Sequence, residues 1–260
     1  MSLPIDQLFC EDCRDTLERL PPDCIDLVVT SPPYADMRAY HGYSIDLPGI
    51  ISGLWKVVKP GGVVVWITAD KTVQGDETGD SLRQALAFKE QGFQLWDTMI
   101  FEKEVRGATG NNRGYWQVWD YMFVFSKGAP KTINLLMDRP NKEARKGDRG
   151  TKRLSNGELK SVQRGGYSAY GRRTNIWKYK VGKGHSTKDA IAFQHPAIFP
   201  EALARDHILS WSNAGDVVYD PFMGSGTVAK MAKLAGRHYL GSEVSAAYCA
   251  IARERVVISE

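Results

Sequence analysis

The chain has no apolar run near the roughly 18 residues that a membrane-spanning helix needs. Its first 15 residues also lack the basic stretch followed by an apolar stretch that marks a secretion signal. We therefore expect a cytoplasmic protein with no membrane partner. The 260 residues are 43% hydrophobic and 25% charged, and this length suits one large α/β domain or one domain with an inserted lobe.

Cysteine is scarce, with four residues in the whole chain. Cys10 and Cys13 form a single C-x-x-C pair, whereas Cys24 and Cys249 stand apart. A structural zinc site usually needs a second pair of ligands at matched spacing, and the sequence contains none. We therefore predict no metal site and interpret the cysteines as buried thiols.

Two phosphate-binding motifs are missing as well. Neither G-x-G-x-x-G nor G-x-x-x-x-G-K-[ST] occurs in the sequence. Because the glycines of these motifs let backbone N–H groups surround phosphates, their absence disfavours dinucleotides and ATP as ligands.

The basic residues are unevenly distributed. Residues 127–184 contain 16 Lys or Arg and 4 Asp or Glu, a net charge of +12, whereas the rest contains 18 and 26, a net charge of −8. The apolar periodicity of helices and strands also fails in this segment. We interpret 127–184 as an inserted basic lobe that binds a polyanion, with a solvated basic loop as the alternative.

Outside this segment, short apolar strands alternate with amphipathic helices. The clearest predicted strands are 25–29, 63–68, 217–220 and 238–242, and the clearest predicted helices are 12–20, 81–91, 227–235 and 246–256. Residues 59–62 are predicted to form a turn. This alternation is typical of a mostly parallel twisted sheet with helices on both faces. The predicted fold class is therefore α/β, with the chain divided into 1–126, 127–184 and 185–260.

The stretch Thr30-Ser31-Pro32-Pro33-Tyr34 follows the first of these strands. Two prolines cannot continue a sheet ladder, so the strand ends there in a stiff turn. The turn presents a hydroxyl, a free carbonyl and an aromatic ring, which suit a planar ring that bears an amine. A Pro-Pro loop closed by a packed tyrosine is the alternative. Residues 35–43, polar and aromatic, suit a mobile active-site loop.

A second loop, Asp220-Pro-Phe-Met-Gly-Ser-Gly-Thr227, lies between a predicted strand and a predicted helix. Its glycines let the backbone approach a ligand closely. Glu243, 19 residues after Gly224, ends the next strand, where an acidic side chain suits paired ribose hydroxyls. These features predict a site for the nucleoside half of a cofactor.

Together the two loops resemble the amino-group DNA methyltransferases that use S-adenosylmethionine. In that family an (S/N/D)-P-P-(Y/F/W) motif holds the target amine and an F-x-G-x-G loop binds the cofactor. The order of amine motif, variable lobe and cofactor loop resembles the beta class, and residues 12–13, 59–62 and 195–200 match in addition. The resemblance covers about residues 5–126 and 185–256. It implies a Rossmann-like methyltransferase fold with an inserted target-recognition lobe at 127–184.

The resemblance implies a role for each residue at a matching position. Ser31 and the Pro32 carbonyl accept hydrogen bonds from the target amine, and Tyr34 stacks on the extruded base. Asp220 lies near the methionine amino group of the cofactor, and Glu243 binds its ribose. The implied catalytic residues are Ser31, Pro32, Pro33 and Tyr34. The implied cofactor-binding residues are Asp12, Thr30, His195, Phe199, Asp220, Phe222, Gly224, Ser225, Gly226, Thr227 and Glu243.

Double-stranded DNA is the implied partner. The predicted DNA-binding residues are Arg38, Tyr40, Lys142, Arg145, Lys146, Arg149, Lys152, Arg153, Arg164, Arg172 and Arg173. Lysines and arginines of the lobe suit phosphates, and a few of the arginines suit base edges. The recognition sequence, a cognate restriction endonuclease and a homodimer are left open.

The target base is predicted from the first motif position. Ser31 there, followed by Arg38 and Tyr40, resembles the cytosine-N4 enzymes, whereas Asp or Asn is commoner among adenine-N6 enzymes. We therefore predict methylation of cytosine N4, with adenine N6 as the alternative. The chain has no Pro-Cys dipeptide, which disfavours methylation at cytosine C5 through a cysteine nucleophile. An RNA methyltransferase and a non-catalytic DNA-binding module are further alternatives.

Overall fold

The computed structural model of the chain describes residues 3–33, 45–104, 115–141, 147–166 and 168–258. The chain folds into two compact units. The larger unit contains Met1–Asn134 and Asn175–Glu260, and the smaller unit contains Leu135–Thr174.

The described strands and helices follow one another in the order expected for an α/β protein. The strands are β1 (Gln7–Phe9), β2 (Ile25–Thr30), β3 (Val58–Thr68), β4 (Thr72–Val73), β5 (Asp76–Glu77), β6 (Gln94–Glu104), β7 (Trp119–Ser126), β8 (Arg139–Pro140), β9 (Asp148–Arg153), β10 (Leu159–Arg164), β11 (Tyr170–Gly171), β12 (Ile176–Lys180), β13 (Val217–Asp220) and β14 (His238–Ser242). The helices are α1 (Cys13–Arg19), α2 (Leu47–Val57), α3 (Asp80–Gln91), α4 (Glu201–Trp211), α5 (Thr227–Leu234) and α6 (Ala246–Val257), with a 3-10 helix at Ala190–Gln194.

The larger unit is built on one sheet of eight described strands in the order β1-β14-β13-β2-β3-β7-β6-β12. Strand β7 runs antiparallel to both of its neighbours, and the other neighbouring pairs are parallel. Parallel neighbours end at the same edge of a sheet, so the residues that follow β2, β13 and β14 share one edge.

Helices cover both faces of this sheet. On one face, Trp66 of β3 packs in a core cluster with Leu17 of α1, Leu54 of α2 and Phe88 of α3. The opposite face of β7 presents Met122, whose sulfur lies 3.2 Å from Nε2 of His207 in α4. The predicted fold class, a mostly parallel sheet with helices on both faces, is therefore confirmed.

Two parts of the sheet differ from the sequence prediction. The predicted turn at 59–62 lies inside β3, where the N–H of Gly61 donates to the carbonyl of Lys127 at 2.6 Å. Gly61 has a φ of +81°, so the strand contains a glycine-dependent distortion rather than a reversal of the chain. Strand β12 lies within the predicted lobe but pairs with β6 of the central sheet. The compact smaller unit is accordingly narrower than the predicted 127–184.

The smaller unit is held by two antiparallel pairs, β9 with β10 and β8 with β11. Near the second pair, the guanidinium of Arg173 binds the carboxylate of Asp138, with Nε 3.0 Å from each oxygen. This pairing lowers the pKa of Asp138. The unit carries 11 Lys or Arg and 4 Asp or Glu, a net charge of +7, so the basic character predicted for the lobe is retained within its narrower bounds.

The four cysteines are free thiols, of which Cys13, Cys24 and Cys249 are buried. Burial raises the pKa of the Cys13 thiol to about 12, as expected for an inert core thiol. Cys10 is exposed, which corrects the interpretation of all four as buried. In the described part of the chain, no helix is long and apolar enough to cross a membrane.

Candidate active site

The two loops singled out in the sequence meet at one edge of the central sheet. Strands β2 and β13 are parallel neighbours, with Leu27 opposite Val218. At their ends, the hydroxyl of Thr30 donates a hydrogen bond of 2.6 Å to Oδ1 of Asp220. This buried bond joins residues that lie 190 positions apart in the chain, so the loops that follow them begin side by side.

A cavity of about 1050 Å³ lies at this edge. The loop after β2, which carries the predicted amine motif, contributes Ser31, Pro32 and Pro33 to its lining. The predicted cofactor residues that line it are Asp12, His195, Phe199, Phe222, Gly224, Ser225, Thr227 and Glu243. Thr30, Asp220 and Gly226 are not among the lining residues and lie behind the wall. Tyr34, Arg38 and Tyr40 fall outside the described residues, as does the predicted mobile loop at 35–43.

Asp220 ends β13 and is almost completely buried. Burial raises the pKa of its carboxyl to about 7, and the nearby Glu243 carboxylate adds to the rise. The hydroxyl of Thr30 and the backbone N–H of Phe222, 3.0 Å from Oδ1, act in the opposite direction because they stabilise the charged form. Asp220 is therefore a carboxyl group that changes charge near neutral pH.

Glu243 follows β14 and ties the glycine loop to the start of α6. Its Oε2 accepts from the N–H of Gly224 at 2.9 Å, and its Oε1 accepts from the N–H of Ser245 at the same distance. Burial raises the pKa of this carboxyl, while the two backbone donors oppose the rise. The strand end and the glycine loop thus hold one carboxylate in a fixed orientation at the cavity wall.

At each of the two glycines of the loop, a different neighbouring residue leaves no room for a side chain. Gly224 has a φ of +52°, and a Cβ built there would lie 3.0 Å from Nε2 of His195. Gly226 has a φ of +79°, and its Cβ would lie 2.8 Å from Cβ and 2.9 Å from Cα of Ala252 in α6. Backbone approach to a ligand was the predicted reason for these glycines. In the structure, an added Cβ would instead collide with the protein itself, and this collision is most severe at Gly226.

His195 closes the cavity from the segment before α4. Its Nδ1 accepts from the N–H of Ala197 at 3.1 Å, and its ring meets that of Tyr248 edge to face, with 4.3 Å between centroids. Phe222, on the facing loop, packs edge to face with Trp66 at 6.0 Å. The core of the sheet therefore supports the aromatic side of the cavity.

Asp12 begins α1, as its N-cap, rather than standing free in the cavity. Its Oδ1 accepts from the N–H of Arg14 at 2.9 Å, and its Oδ2 accepts from the Arg14 guanidinium at 2.8 Å. These bonds lower the pKa of Asp12. The carboxylate therefore stays ionised at the cavity edge.

Several polar residues at the cavity were not predicted from the sequence. Lys103 and Asp120 line it and form an ion pair of 2.6 Å, with Asp120 nearly buried. The hydroxyls of Ser225 and Thr227 both accept from the buried guanidinium of Arg255. The sequence signal that could have indicated a buried Arg255 was its position three residues after Ala252, on the face of α6 that is buried.

The residues around the glycine loop fit S-adenosylmethionine. The lining includes the carboxylates of Asp12, Asp120 and Glu243, with the buried Asp220 behind it, and such a wall suits a cationic ligand better than phosphates. Aromatic rings such as Phe199 and Phe222 offer apolar surface for a nucleoside. The cavity is larger than most sites for a single small molecule, which leaves room for a second planar group beside Ser31.

The predicted DNA-binding residues have different environments. Arg149, Lys152 and Arg153 are exposed on β9, and Arg172 is exposed next to β11. Arg173 is engaged with Asp138, so in the free protein it braces the smaller unit. Lys142, Arg145 and Lys146 lie outside the described residues, as does the side chain of Arg164.

Comparisons with known proteins agree with this geometry. The sequence profile of the N6/N4 methyltransferase family, described as DNA methylase, matches residues 25–254. Orphan methyltransferase M.BamHII of Bacillus amyloliquefaciens is 56% identical over 238 residues, which cover 90% of this chain and 89% of that protein.

Solved structures share the fold. PvuII DNA methyltransferase, described as cytosine-N4-specific, has a TM-score of 0.69 at 18% identity, covering 98% of this chain and 87% of that one. The complex of M1.HpyAVI with S-adenosylmethionine has a TM-score of 0.63 at 21% identity, covering 96% and 98%. Given the profile match and the 56% identical relative, this chain belongs to the N6/N4 family of DNA methylases, enzymes that methylate DNA with S-adenosylmethionine as the donor.

Proposed function

We propose that this DNA methyltransferase transfers the methyl group to the exocyclic N4 amine of cytosine, at a specific sequence in double-stranded DNA. The shared cavity carries the proposal, because Ser31 and Glu243 line the same space, directly after β2 and β14, the two strands that flank β13. Serine at the first motif position favours cytosine N4 over adenine N6. The description of the PvuII enzyme as cytosine-N4-specific points in the same direction.

The chain's own task in this reaction is orientation and electrostatics. S-adenosylmethionine supplies a methyl group on a sulfonium sulfur, which is a good leaving group, so the protein needs no nucleophile of its own. The lone pair of an exocyclic amine is delocalised into the ring, which makes the nitrogen a weak acceptor of the methyl group. The Ser31 hydroxyl and the Pro32 carbonyl accept hydrogen bonds from the two N–H groups of the amine and turn the nitrogen lone pair out of the ring plane toward the methyl group. After transfer, the strongly acidic N-methylated cation releases one of these protons.

The target base must leave the DNA duplex to reach Ser31. Extrusion costs a few kcal/mol, and stacking on an aromatic ring offsets part of that cost. Tyr34, directly after Pro33, is the predicted stacking partner and lies outside the described residues. The Lys103–Asp120 pair lines the same cavity, and its polar groups suit contacts to ring nitrogen and carbonyl groups of a base.

DNA recognition is proposed for the smaller unit. In its β9–β10 hairpin, Lys152 lies directly opposite Lys160. Like charges at paired positions destabilise a hairpin, and a phosphate between them would relieve the repulsion. Arg149 and Arg153 alternate onto the other face of β9. The hairpin therefore offers positive charge on both faces to a nucleic-acid backbone.

We expect the affinity for S-adenosylmethionine to be highest between about pH 7 and 8. From behind the cavity wall, Asp220 attracts the cofactor ammonium only when it is ionised, and its pKa of about 7 predicts that binding at pH 6 is about tenfold weaker than binding to the fully ionised form. Above about pH 8 an α-amino group itself loses its charge. The measurement is calorimetric titration with the cofactor from pH 6 to 9.

Two variants test the cause of this profile. Asp220→Asn should bind S-adenosylmethionine weakly at every pH and should lose the acid limb, the fall in affinity below pH 7. Thr30→Val removes a donor that lowers the pKa of Asp220 and should move the acid limb to higher pH. The free energy of unfolding should depend on pH in the opposite sense to the cofactor affinity. Because the pKa of Asp220 in the folded protein lies above the ordinary value of 3.8, its contribution to stability is fully present below pH 3.8 and is lost as pH rises through 7. An unchanged acid limb in Asp220→Asn would contradict the assignment.

The target base is tested by one incubation with labelled S-adenosylmethionine and unmethylated DNA, followed by nucleoside mass spectrometry. We expect N4-methylcytosine. N6-methyladenine would overturn the cytosine assignment while leaving the amine chemistry intact. Transfer to RNA but not to DNA would contradict DNA as the substrate, and cofactor binding without transfer would favour a non-catalytic module.

The remaining partners stay predictions. The 56% identical relative is named an orphan methyltransferase, which favours an enzyme that acts without a cognate restriction endonuclease. A homodimer stays open, and a cytoplasmic location is an expectation from the sequence alone.

A further inference from the structure

We propose that Arg255 is a positioning residue that fixes the glycine loop of the cofactor cavity against the segment that precedes α4. Its side chain lies near the C-terminal end of α6 and is completely buried. A fully buried arginine is uncommon and is retained where its donors are satisfied. Its contacts divide into two groups, one on the glycine loop and one on the segment that precedes α4.

The first group lies on the glycine loop. Nη1 of Arg255 donates to the carbonyl of Ser225 at 2.7 Å, to its hydroxyl at 3.0 Å and to the hydroxyl of Thr227 at 3.1 Å. Ser225 stands between Gly224 and Gly226, the two residues that give this backbone the most conformational freedom. The guanidinium therefore holds the loop at its least constrained point.

The second group lies on the segment that precedes α4. Nε donates to Asp189 at 2.9 Å, and Nη2 donates to Glu201 at 2.7 Å. These two carboxylates flank the residues that carry His195 and Phe199, which line the same cavity as the glycine loop. One buried cation thus connects two segments that contribute to the cavity lining, although it does not line the cavity itself.

Lys230 of α5 provides a natural contrast. Its Nζ binds the same carboxylates, at 2.7 Å from Asp189 and 2.8 Å from Glu201. Within the described part of the chain, this ammonium makes no hydrogen bond to the glycine loop. Lys230 therefore shares the charge-balancing task of Arg255 but not its contact with Ser225.

The guanidinium group suits this position better than an ammonium. Arginine has five N–H donors in a fixed plane, whereas lysine has three on a flexible stem. The contacts of Arg255 point in three directions, to the loop, to Asp189 and to Glu201. A lysine would balance the charge but leave part of the loop without a donor, whereas both carboxylates would keep the ammonium of Lys230.

The inference rests on the proposed role of the glycine loop in cofactor binding. The test compares Arg255→Met, Arg255→Lys and Lys230→Met with the wild type. It measures the dissociation constant for S-adenosylmethionine by calorimetry, KM for DNA and kcat at saturating cofactor, and the melting temperature of each protein. Both methionine variants lose one buried cation from the same pair of carboxylates, so they are matched in charge.

We expect Arg255→Met to weaken cofactor binding at least about tenfold, because loop misplacement disrupts contacts that depend on sub-ångström geometry. The KM for DNA should stay within about threefold of the wild type. Arg255→Lys should fall between Arg255→Met and the wild type. Lys230→Met should lower the melting temperature but keep cofactor affinity within about threefold.

Equal losses of cofactor affinity in Arg255→Met and Lys230→Met would overturn the proposal, because charge balance alone would then explain both. If Arg255→Met does not fold, Arg255→Lys decides: weaker cofactor binding with unchanged KM for DNA supports the proposal, and wild-type binding refutes it. A wild-type protein that fails to bind S-adenosylmethionine would instead contradict the assignment of the cavity, a result separate from any difference among the variants.

Discussion

Replacement of Ser31 by alanine is expected to lower kcat about 100- to 1000-fold, while the affinity for S-adenosylmethionine stays unchanged. Removing one hydrogen-bonding group that acts on the developing charge of a transition state typically has an effect of this size. Ser31 lines the cavity at the end of β2, whereas Gly224 and Glu243, both proposed for the cofactor, lie on the loops after β13 and β14. Single-turnover methyl transfer and calorimetric cofactor titration separate the two effects.

Ser31→Thr is the matched control for this variant. Threonine keeps the hydroxyl and adds one methyl group, so part of the activity should return. A Ser31→Ala enzyme with kcat within about threefold of the wild type would show that the hydroxyl is not the amine acceptor. An equal loss in Ser31→Ala and Ser31→Thr would indicate that the loop depends on side-chain volume rather than on the hydroxyl.

Gly226→Ala is expected to destabilise the fold by about 3 kcal/mol and to abolish cofactor binding at micromolar concentrations. A φ of +79° costs an alanine about 1–2 kcal/mol, and overpacking adds about 1–3 kcal/mol. The added Cβ would lie 2.9 Å from Cα of Ala252, a backbone atom that can move only if α6 moves. A displaced α6 would carry Arg255 with it. The expected decrease in melting temperature is about 5–10 °C.

Gly236→Ala separates backbone strain from collision. Gly236 has a φ of +72° just after α5, and no described atom lies within 4 Å of a Cβ built there. This variant should lose about 1 kcal/mol and bind the cofactor normally. Equal destabilisation by the two substitutions would show that contact with Ala252 is unimportant, and normal cofactor binding by Gly226→Ala would remove the loop from the site.

Most helices and strands of the larger unit could be predicted because their local signals agree with the final structure. The predicted helix at 12–20 appears as Cys13–Arg19, with Asp12 as its cap. The predicted helix at 81–91 appears as Asp80–Gln91 and ends at Gly92, whose φ of +115° only glycine adopts readily. Buried parallel strands read as continuous apolar runs, which made β2 and β3 recognisable.

Strand β12 was missed because its pattern is short and lies in basic sequence. Only Trp177 is buried in Ile176–Lys180, and the alternating lysines read as part of a polyanion-binding lobe. One of them, Lys178, instead pairs with Glu102 on the neighbouring strand. Charge composition detects a basic segment but does not tell which of its cations are already paired inside the protein.

By itself, the sequence determined the fold class and the two loops that line the candidate site, because these depend on local chemistry: proline ends a strand, glycine permits a left-handed turn, and apolar spacing indicates the element type. The family came from the resemblance of the motifs in those loops. Only the tertiary structure decided which groups complete the site. The hydrogen bond between Thr30 and Asp220, the collision partner of Gly226 and the contacts of Arg255 all join residues distant in the chain. Such pairs form when strands and helices pack, and no local pattern encodes them.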